Sequence, residues 1–343
     1  MKVHSFALHA KEDLRSLEWD IPEIEPGGVL LRVIACGICG SDLRMFYEGP
    51  SPRYTLPIVL GHEFTGTVVQ VGANVKSFKP GDVAAVAPLI PCMSCRPCSH
   101  GQDNLCETGQ VIGTHIAGAM ADHFYVPERM VSDGGLVKLP AGADPRVSAL
   151  TEIVGCCLHG IRQTDFQVGD SVLIIGEGPI GLAHLQLLRL MGAGQIVMTG
   201  LIQNRLKLAE ELGASVALDV GKHDLKQYAQ DKGFKPDLAI VATPVMPASE
   251  LALELLRWGG TLLLFSGYPY GTTMTLDAYR FHYAEKHIHG SIDCNIRDFQ
   301  NATELLPRLQ MGRLITQAFP LKDTLQAFRA ARNPEAIKTM IEA

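Results

Sequence analysis

Cys92, Cys95, Cys98 and Cys106, within PCMSCRPCSHGQDNLCE, are four thiols at metal-ligand spacing. Two-residue gaps let neighbouring thiolates converge on one ion, and the longer gap before Cys106 gives a loop that can return with a fourth sulfur. Four sulfurs complete a tetrahedron and leave no position for a substrate, so such a zinc is structural. A disulfide cluster or four unrelated buried thiols are the alternatives, and nothing else in the chain points to an oxidising compartment. A second donor mixture stands earlier. Cys39 in CGICGSD and the pair His62-Glu63 in LGHEFTG supply thiolate, imidazole and carboxylate, the set expected of a zinc that keeps one position for water or substrate. Taken singly, a cysteine is usually a small core residue and a His-Glu pair a surface feature. Their joint occurrence with the four-cysteine stretch and with a glycine-rich turn gives them weight.

That turn is Gly176-Glu177-Gly178-Pro179-Ile180-Gly181. It follows the apolar run SVLII and opens the helical pattern PIGLAHLQLLRLMGA. In this context glycines permit a tight turn and close backbone approach to a pyrophosphate facing the helix N-terminus. A glycine-rich turn without a ligand is the plainer alternative. In dinucleotide folds an acid at the end of the next strand bonds the adenosine ribose hydroxyls. Here that position falls on Gly200 in QIVMTG, and Leu201 to Asn204 precede Arg205. Without the acid, NADP is admissible beside NAD, and Arg205 either faces a 2′-phosphate or is an ordinary helix residue near the adenine.

The elements that must position these residues change in texture near residue 140. Before it, β-branched runs such as GVLLRVIA, FTGTVVQVG and DVAAVAP alternate with Gly, Pro and Gly-Asp turns, the pattern of a partly open β-barrel with long loops. After it, DPRVSALTEIVGCCLHGI reads as a helix with Asp144 as N-cap and Pro145 at its first position. SVLIIGEG, QIVMTG, DLAIVAT and TLLLFSG then alternate with helical stretches, which specifies a doubly wound parallel sheet.

Composition sets outer limits. The chain has 343 residues, 47% of them hydrophobic and 19% charged, enough for two cores. A formal net charge of −6 without a basic block argues against a nucleic-acid surface, including a zinc-ribbon binder built on the four cysteines. No apolar run approaches the ~20 residues that span a bilayer, and the N-terminal stretch is interrupted by charge, so a cytoplasmic protein with no membrane partner is expected.

Together CGICGSD, GHEFTGTVVQVG, VKSFKPGDVA, the cysteine lobe, ALTE, GEGPIGL and IHGSIDCN resemble the zinc-dependent medium-chain dehydrogenase/reductase family, in particular its sorbitol and polyol dehydrogenase branch. The likeness spans essentially the whole chain. It implies an α/β protein in two parts. The first is a GroES-like β-barrel catalytic domain over 1–143 and 288–343, with a structural zinc lobe at about 91–107. The second is a Rossmann doubly wound parallel sheet over 144–287. It implies catalytic zinc ligands among Cys39, His62, Glu63 and Glu152, the last standing where the alcohol dehydrogenase branch has a cysteine; either glutamate can be the third ligand. Ile153 replaces the usual proline after that glutamate. Cys156 and Cys157, one helical turn on, are packing residues.

By the same likeness Ser41 relays the alcohol proton, or caps the helix of SDLRMFYEG. Gly176, Gly178, Pro179, Ile180, Gly181, Gly200, Arg205, Ser266, Gly267 and Ser291 face the cofactor. Arg44 stands where many relatives have histidine, and Asp293 where polyol relatives often have arginine; Phe46, Tyr47 and Tyr54 are candidates for a pocket wall. The implied reaction is hydride transfer between NAD(P) and a secondary alcohol of a polyol, sugar alcohol, cyclitol or sugar phosphate. A threonine-dehydrogenase-like amino alcohol oxidoreductase and a non-catalytic cofactor binder are the other readings. A homodimer or homotetramer is expected, joined near TLLLFSG.

Overall fold

Val29–Gly37, nearly all buried, has too little polar surface to be an edge strand, and it lies at the middle of a larger, mostly antiparallel sheet. The computed structural model describes residues 1–49 and 54–343. Across the sheet the strands run Leu136–Lys138, Val83–Val86, Glu63–Val71, Val29–Gly37, Lys338–Glu342 and Ile315–Pro320, and His123–Val126 also pairs with Val29–Gly37. Asp13–Asp20, Lys2–Ala10 and Ile58–Val59 form a smaller sheet. Leu31, Phe64, Phe124 and Met120 fill the space between, with the rings of Phe64 and Phe124 edge to face at 4.7 Å.

The second body is a six-stranded parallel sheet. Its order is Val216–Asp219, Ile196–Gly200, Val172–Ile175, Leu238–Val241, Thr261–Leu264, His287–Gly290. This is the doubly wound arrangement, with the strand order reversing beside Val172–Ile175, where such sheets bind nucleotides outside their carboxyl ends. Leu173, Val197, Ala239 and Leu262 make the buried centre.

The two compact units are Met1–Gly155 with Cys294–Ala343, and Cys156–Asp293. The second junction lies later than 287/288 because Ile288 does not return to the barrel: it pairs with Leu262 in the last parallel strand. That strand, rather than TLLLFSG, forms the edge of the sheet. The first junction falls within helix Thr151–Arg162, beyond the expected 143/144. Asp144 does cap, accepting from Arg146 N at 2.8 Å, but the expected single helix is two, Pro145–Ser148 and Thr151–Arg162. Among the described residues no helix is long and apolar enough to cross a membrane.

Candidate metal centres and dinucleotide cradle

Strand Val29–Gly37 leads into Cys39, which is the N-cap of helix Gly40–Glu48. Asp42, at the third helical position, reaches back to accept from Cys39 N at 2.9 Å and so fixes the residue that carries the thiol. The cap therefore belongs to Cys39 and Asp42, and Ser41 sits exposed beside it. On the adjacent strand Glu63 lies opposite Gly37, which places His62 and Glu63 next to Cys39. The Cys39 sulfur, a His62 ring nitrogen and a Glu63 carboxylate oxygen fall within 4.8 Å of one another.

The surroundings suit a cation. Burial disfavours a charged imidazole, yet Asp42, Cys39 and Glu152 hold the His62 proton well above the usual histidine range. Asp42 Oδ1 stands 3.7 Å from His62 Nδ1, an ion-pair distance. Glu63 is fully buried, and its Oε1 has no hydrogen-bond partner among the described residues. Such an oxygen is costly unless a cation or donor meets it. Glu152, in the first turn of its helix and buried, acts electrostatically on both His62 and Lys338 but stands outside the 4.8 Å group.

Lys338 is the residue that sequence reasoning missed. It is 3% exposed, its ammonium pairs with Glu63 Oε2, and it donates to Ile38 O at 2.8 Å. Burial lowers its affinity for a proton, but Glu63 and Cys39 outweigh that and the group is held above its ordinary range. The C-terminal strand thus supplies a cation that meets Glu63 beside the middle strand. A Cβ at Gly37 would run into the Lys338 chain and the Glu63 carboxylate, which explains the glycine. Asp42, also unassigned from sequence, had a signal: an acid three residues after a cap is a capping-box pattern.

The pocket-wall aromatics divide. Phe46 is a core residue, packed edge-on against Tyr47 and Phe328, because the helix turns that face inward. Tyr47 donates to Phe328 O and carries the Arg332 guanidinium 4.5 Å above its ring. Tyr54 lies edge-on to His115. Arg44 is exposed; Asp293 is half-buried with φ +52°, a left-handed backbone. Cys156 and Cys157 are buried in their helix.

In the cysteine lobe the four sulfurs also lie within 4.8 Å of one another. Cys95 Sγ is 3.4 Å from Cys98 Sγ and 3.9 Å from Cys106 Sγ. A zinc–sulfur bond of ~2.3 Å gives a tetrahedral edge of about 3.8 Å, whereas a disulfide needs ~2.05 Å. All nine cysteines are free. Hydrogen bonds from Ser94 and Cys95 favour the thiolate of Cys92, whose pKa falls to about 5. The lobe is tied to helix Ile296–Leu305, since Asp103 accepts from Ile296 N at 2.8 Å and Asn295 donates to Gly101 O.

In the parallel-sheet unit, Gly176 has φ +112° and Gly178 is the N-cap of helix Pro179–Leu190, with nothing within 4 Å of the place a Cβ would take. A Cβ at Gly181 would strike the Gly176 carbonyl, so this glycine lets the helix start against the turn. Both features fit a pyrophosphate cradle. Ser266 and Gly267 follow strand Thr261–Leu264 at the same carboxyl end of the sheet, and Ser291 follows His287–Gly290 with its hydroxyl buried and unpartnered among the described residues. Gly200 ends its strand without an acid, yet a carboxylate stands there. Glu177, from the glycine-rich turn, accepts from Leu201 N at 2.9 Å and Ile202 N at 3.0 Å.

Residues 25–141 match the family model of the alcohol dehydrogenase GroES-like domain, and residues 179–308 that of the zinc-binding dehydrogenase. The D-arabitol-phosphate dehydrogenase of Enterococcus avium is 33% identical over 340 residues, covering 97% of this chain and 94% of that protein. Sorbitol dehydrogenases are among the further relatives. A zinc-binding dehydrogenase from Sinorhizobium meliloti 1021 bound to NADP superposes with a TM-score of 0.91 at 27% identity, covering 100% of both chains. An alcohol dehydrogenase from Escherichia coli CFT073 complexed with NADH gives 0.91 at 26% identity, covering 100% of this chain and 99% of that one. The chain belongs to the zinc-dependent medium-chain dehydrogenase/reductase family, in its polyol dehydrogenase branch. It is a zinc-binding oxidoreductase that works with a nicotinamide cofactor on a small-molecule alcohol.

Proposed function

We propose that each chain holds two zinc ions and interconverts a secondary alcohol of a polyol, sugar alcohol, cyclitol or sugar phosphate with the matching ketone, using NAD(H) or NADP(H). One observation carries this reading: Cys39, His62 and Glu63 bring a thiolate, an imidazole and a carboxylate within 4.8 Å, leaving a tetrahedral ion one position for substrate oxygen. When bound, the zinc lowers the pKa of the alcohol and the nicotinamide exchanges the hydride.

The chain's own residues prepare the site. Cys39, His62 and Glu63 Oε1 are the ligands, which favours Glu63 over Glu152 as the third. Asp42 steadies His62 from 3.7 Å. Lys338 holds Glu63 Oε2 and offsets the negative charge of the donor set. Glu152 supports the site as a nearby carboxylate, and Ser41 offers its hydroxyl for the departing proton. Arg44, exposed on the same helix, suits a phosphorylated or strongly hydroxylated substrate. The likeness to a D-arabitol-phosphate dehydrogenase supports that class. A homodimer or homotetramer is supported by the open edge of strand His287–Gly290 and by exposed Trp258 and Tyr279.

Initial rates of zinc-loaded protein with NAD⁺ and NADP⁺, across sorbitol, galactitol, cyclitols, their phosphates and threonine, test the reading. Turnover of a polyol or its phosphate is expected. Threonine outpacing every polyol would favour the amino alcohol reading, and cofactor binding without any turnover the non-catalytic one.

The second ion has its own test. Cys98→Ser is expected to reduce bound zinc from two per chain to about one and to lower the melting temperature, because the lobe tied to helix Ile296–Leu305 loses its central crosslink. Metal analysis and thermal melting give the readout. Unchanged zinc content with an unchanged melt would remove the structural ion from the reading.

A further inference from the structure

Gly200 is a residue whose missing side chain has been replaced in space. A Cβ there would collide with the Glu177 carboxylate, so a side chain at 200 would have to displace Glu177 from its place over the strand end. Glu177 is only 9% exposed, and its Oε1 takes the amides of both Leu201 and Ile202. Those amides follow the strand end, where a dinucleotide's adenosine ribose lies. They are the donors that a 2′-phosphate would otherwise recruit.

Of the basic residues around this strand end, Lys222 is paired with Asp219 opposite Gly200, and Arg205, half-buried in the following helix, lies within the electrostatic reach of Glu177. Burial lowers the Arg205 pKa, and the negative charge of Glu177 acts in the opposite direction. A buried cation already engaged by one carboxylate is a weaker partner for a 2′-phosphate than a free one.

We infer that Glu177, supplied by the glycine-rich turn, performs the role of the absent strand-end acid and makes this chain select NAD(H) against NADP(H). The inference rests on the reading of Gly176–Gly181 as a dinucleotide cradle and goes beyond it by naming the selecting residue. With Oε1 anchored on two amides, Oε2 lies over Gly200 and can accept from ribose hydroxyls. A phosphate on the 2′-oxygen would bring like charge against a carboxylate that water screens poorly. The absence of an acid at Gly200 thus does not open the site to NADP.

The test is binding, independent of turnover. NADH and NADPH are titrated into the full-length protein by fluorescence, and ADP-ribose and 2′-phospho-ADP-ribose by calorimetry. The wild type is expected to bind NADH at least about tenfold more tightly than NADPH. Glu177→Gln keeps the shape and removes the charge; it is expected to shrink that ratio by about tenfold, with the fragments following. The double variant Glu177→Ala, Gly200→Asp returns the acid to the strand and should restore the preference. Equal or tighter NADPH binding by the wild type would overturn the inference while leaving the cradle intact, as would an unchanged ratio in Glu177→Gln. Binding of none of the four ligands would overturn the inference and the cradle together.

Discussion

His62→Ala is expected to give a folded chain that still binds nicotinamide cofactor but has lost its catalytic zinc, with kcat/KM lower by about three orders of magnitude or more. The size follows from what the ion supplies. Lewis-acid stabilisation of a developing alkoxide amounts to several kcal/mol, and each ~1.4 kcal/mol is tenfold in rate. His62 is also the group on which the negative charges of Asp42, Cys39 and Glu152 converge. Removing it takes away one of the three proposed ligands and leaves that charge facing Lys338. The Gly176–Gly181 turn lies in the other compact unit, so cofactor titration reports on that unit separately, and a thermal melt checks that the barrel unit is folded. Zinc content and kcat/KM are measured on the same preparation. A variant with full zinc occupancy and turnover within tenfold of wild type would show that the ion sits elsewhere.

Why some of this site could be read from the chain and some could not has a physical origin. The cysteine lobe and the glycine-rich turn are local: their chemistry needs sulfurs or glycines at short, fixed separations, so spacing alone displays it. Alternating strands and helices likewise announce a parallel sheet, because each crossover leaves its own periodic stretch. Lys338 is different. It meets Ile38 across 300 positions, through strand pairing that no local pattern encodes, and within IKTMIE it looks like a surface lysine at a strand start. Ile288 escapes local reading for a related reason: a four-residue strand, HIHG, before the second junction fits either sheet, and only pairing with Leu262 decides. Glu177 was visible as the second residue of the turn, but its reach over Gly200 depends on two strands lying side by side. Phe46 shows the reverse error. An aromatic in the segment between Cys39 and His62 suggests a pocket wall, whereas helix periodicity turns it onto Phe328.

Lys338→Met is expected to destabilise the barrel unit by about 3–5 kcal/mol, the usual cost of leaving one member of a buried ion pair without its partner. Glu63 and Lys338 are both essentially inaccessible, so water cannot solvate the carboxylate left behind. The lysine also donates to Ile38 O, and that carbonyl would lose its bond in the same variant. Methionine retains much of the side-chain volume, which limits any cavity contribution. The cause can therefore be isolated by removing the other charge as well. The double variant Lys338→Met, Glu63→Gln should recover most of the lost stability, because replacing both members of a buried pair by neutral groups is often close to neutral. Denaturant unfolding of zinc-free protein gives the four corners of the cycle without the metal's own contribution. If the two single changes add, with no recovery in the double variant, Lys338 acts through packing alone. A strong recovery in stability with zinc affinity still weakened would instead separate two roles of Glu63: Oε2 holding the C-terminal strand through Lys338, and Oε1 holding the ion.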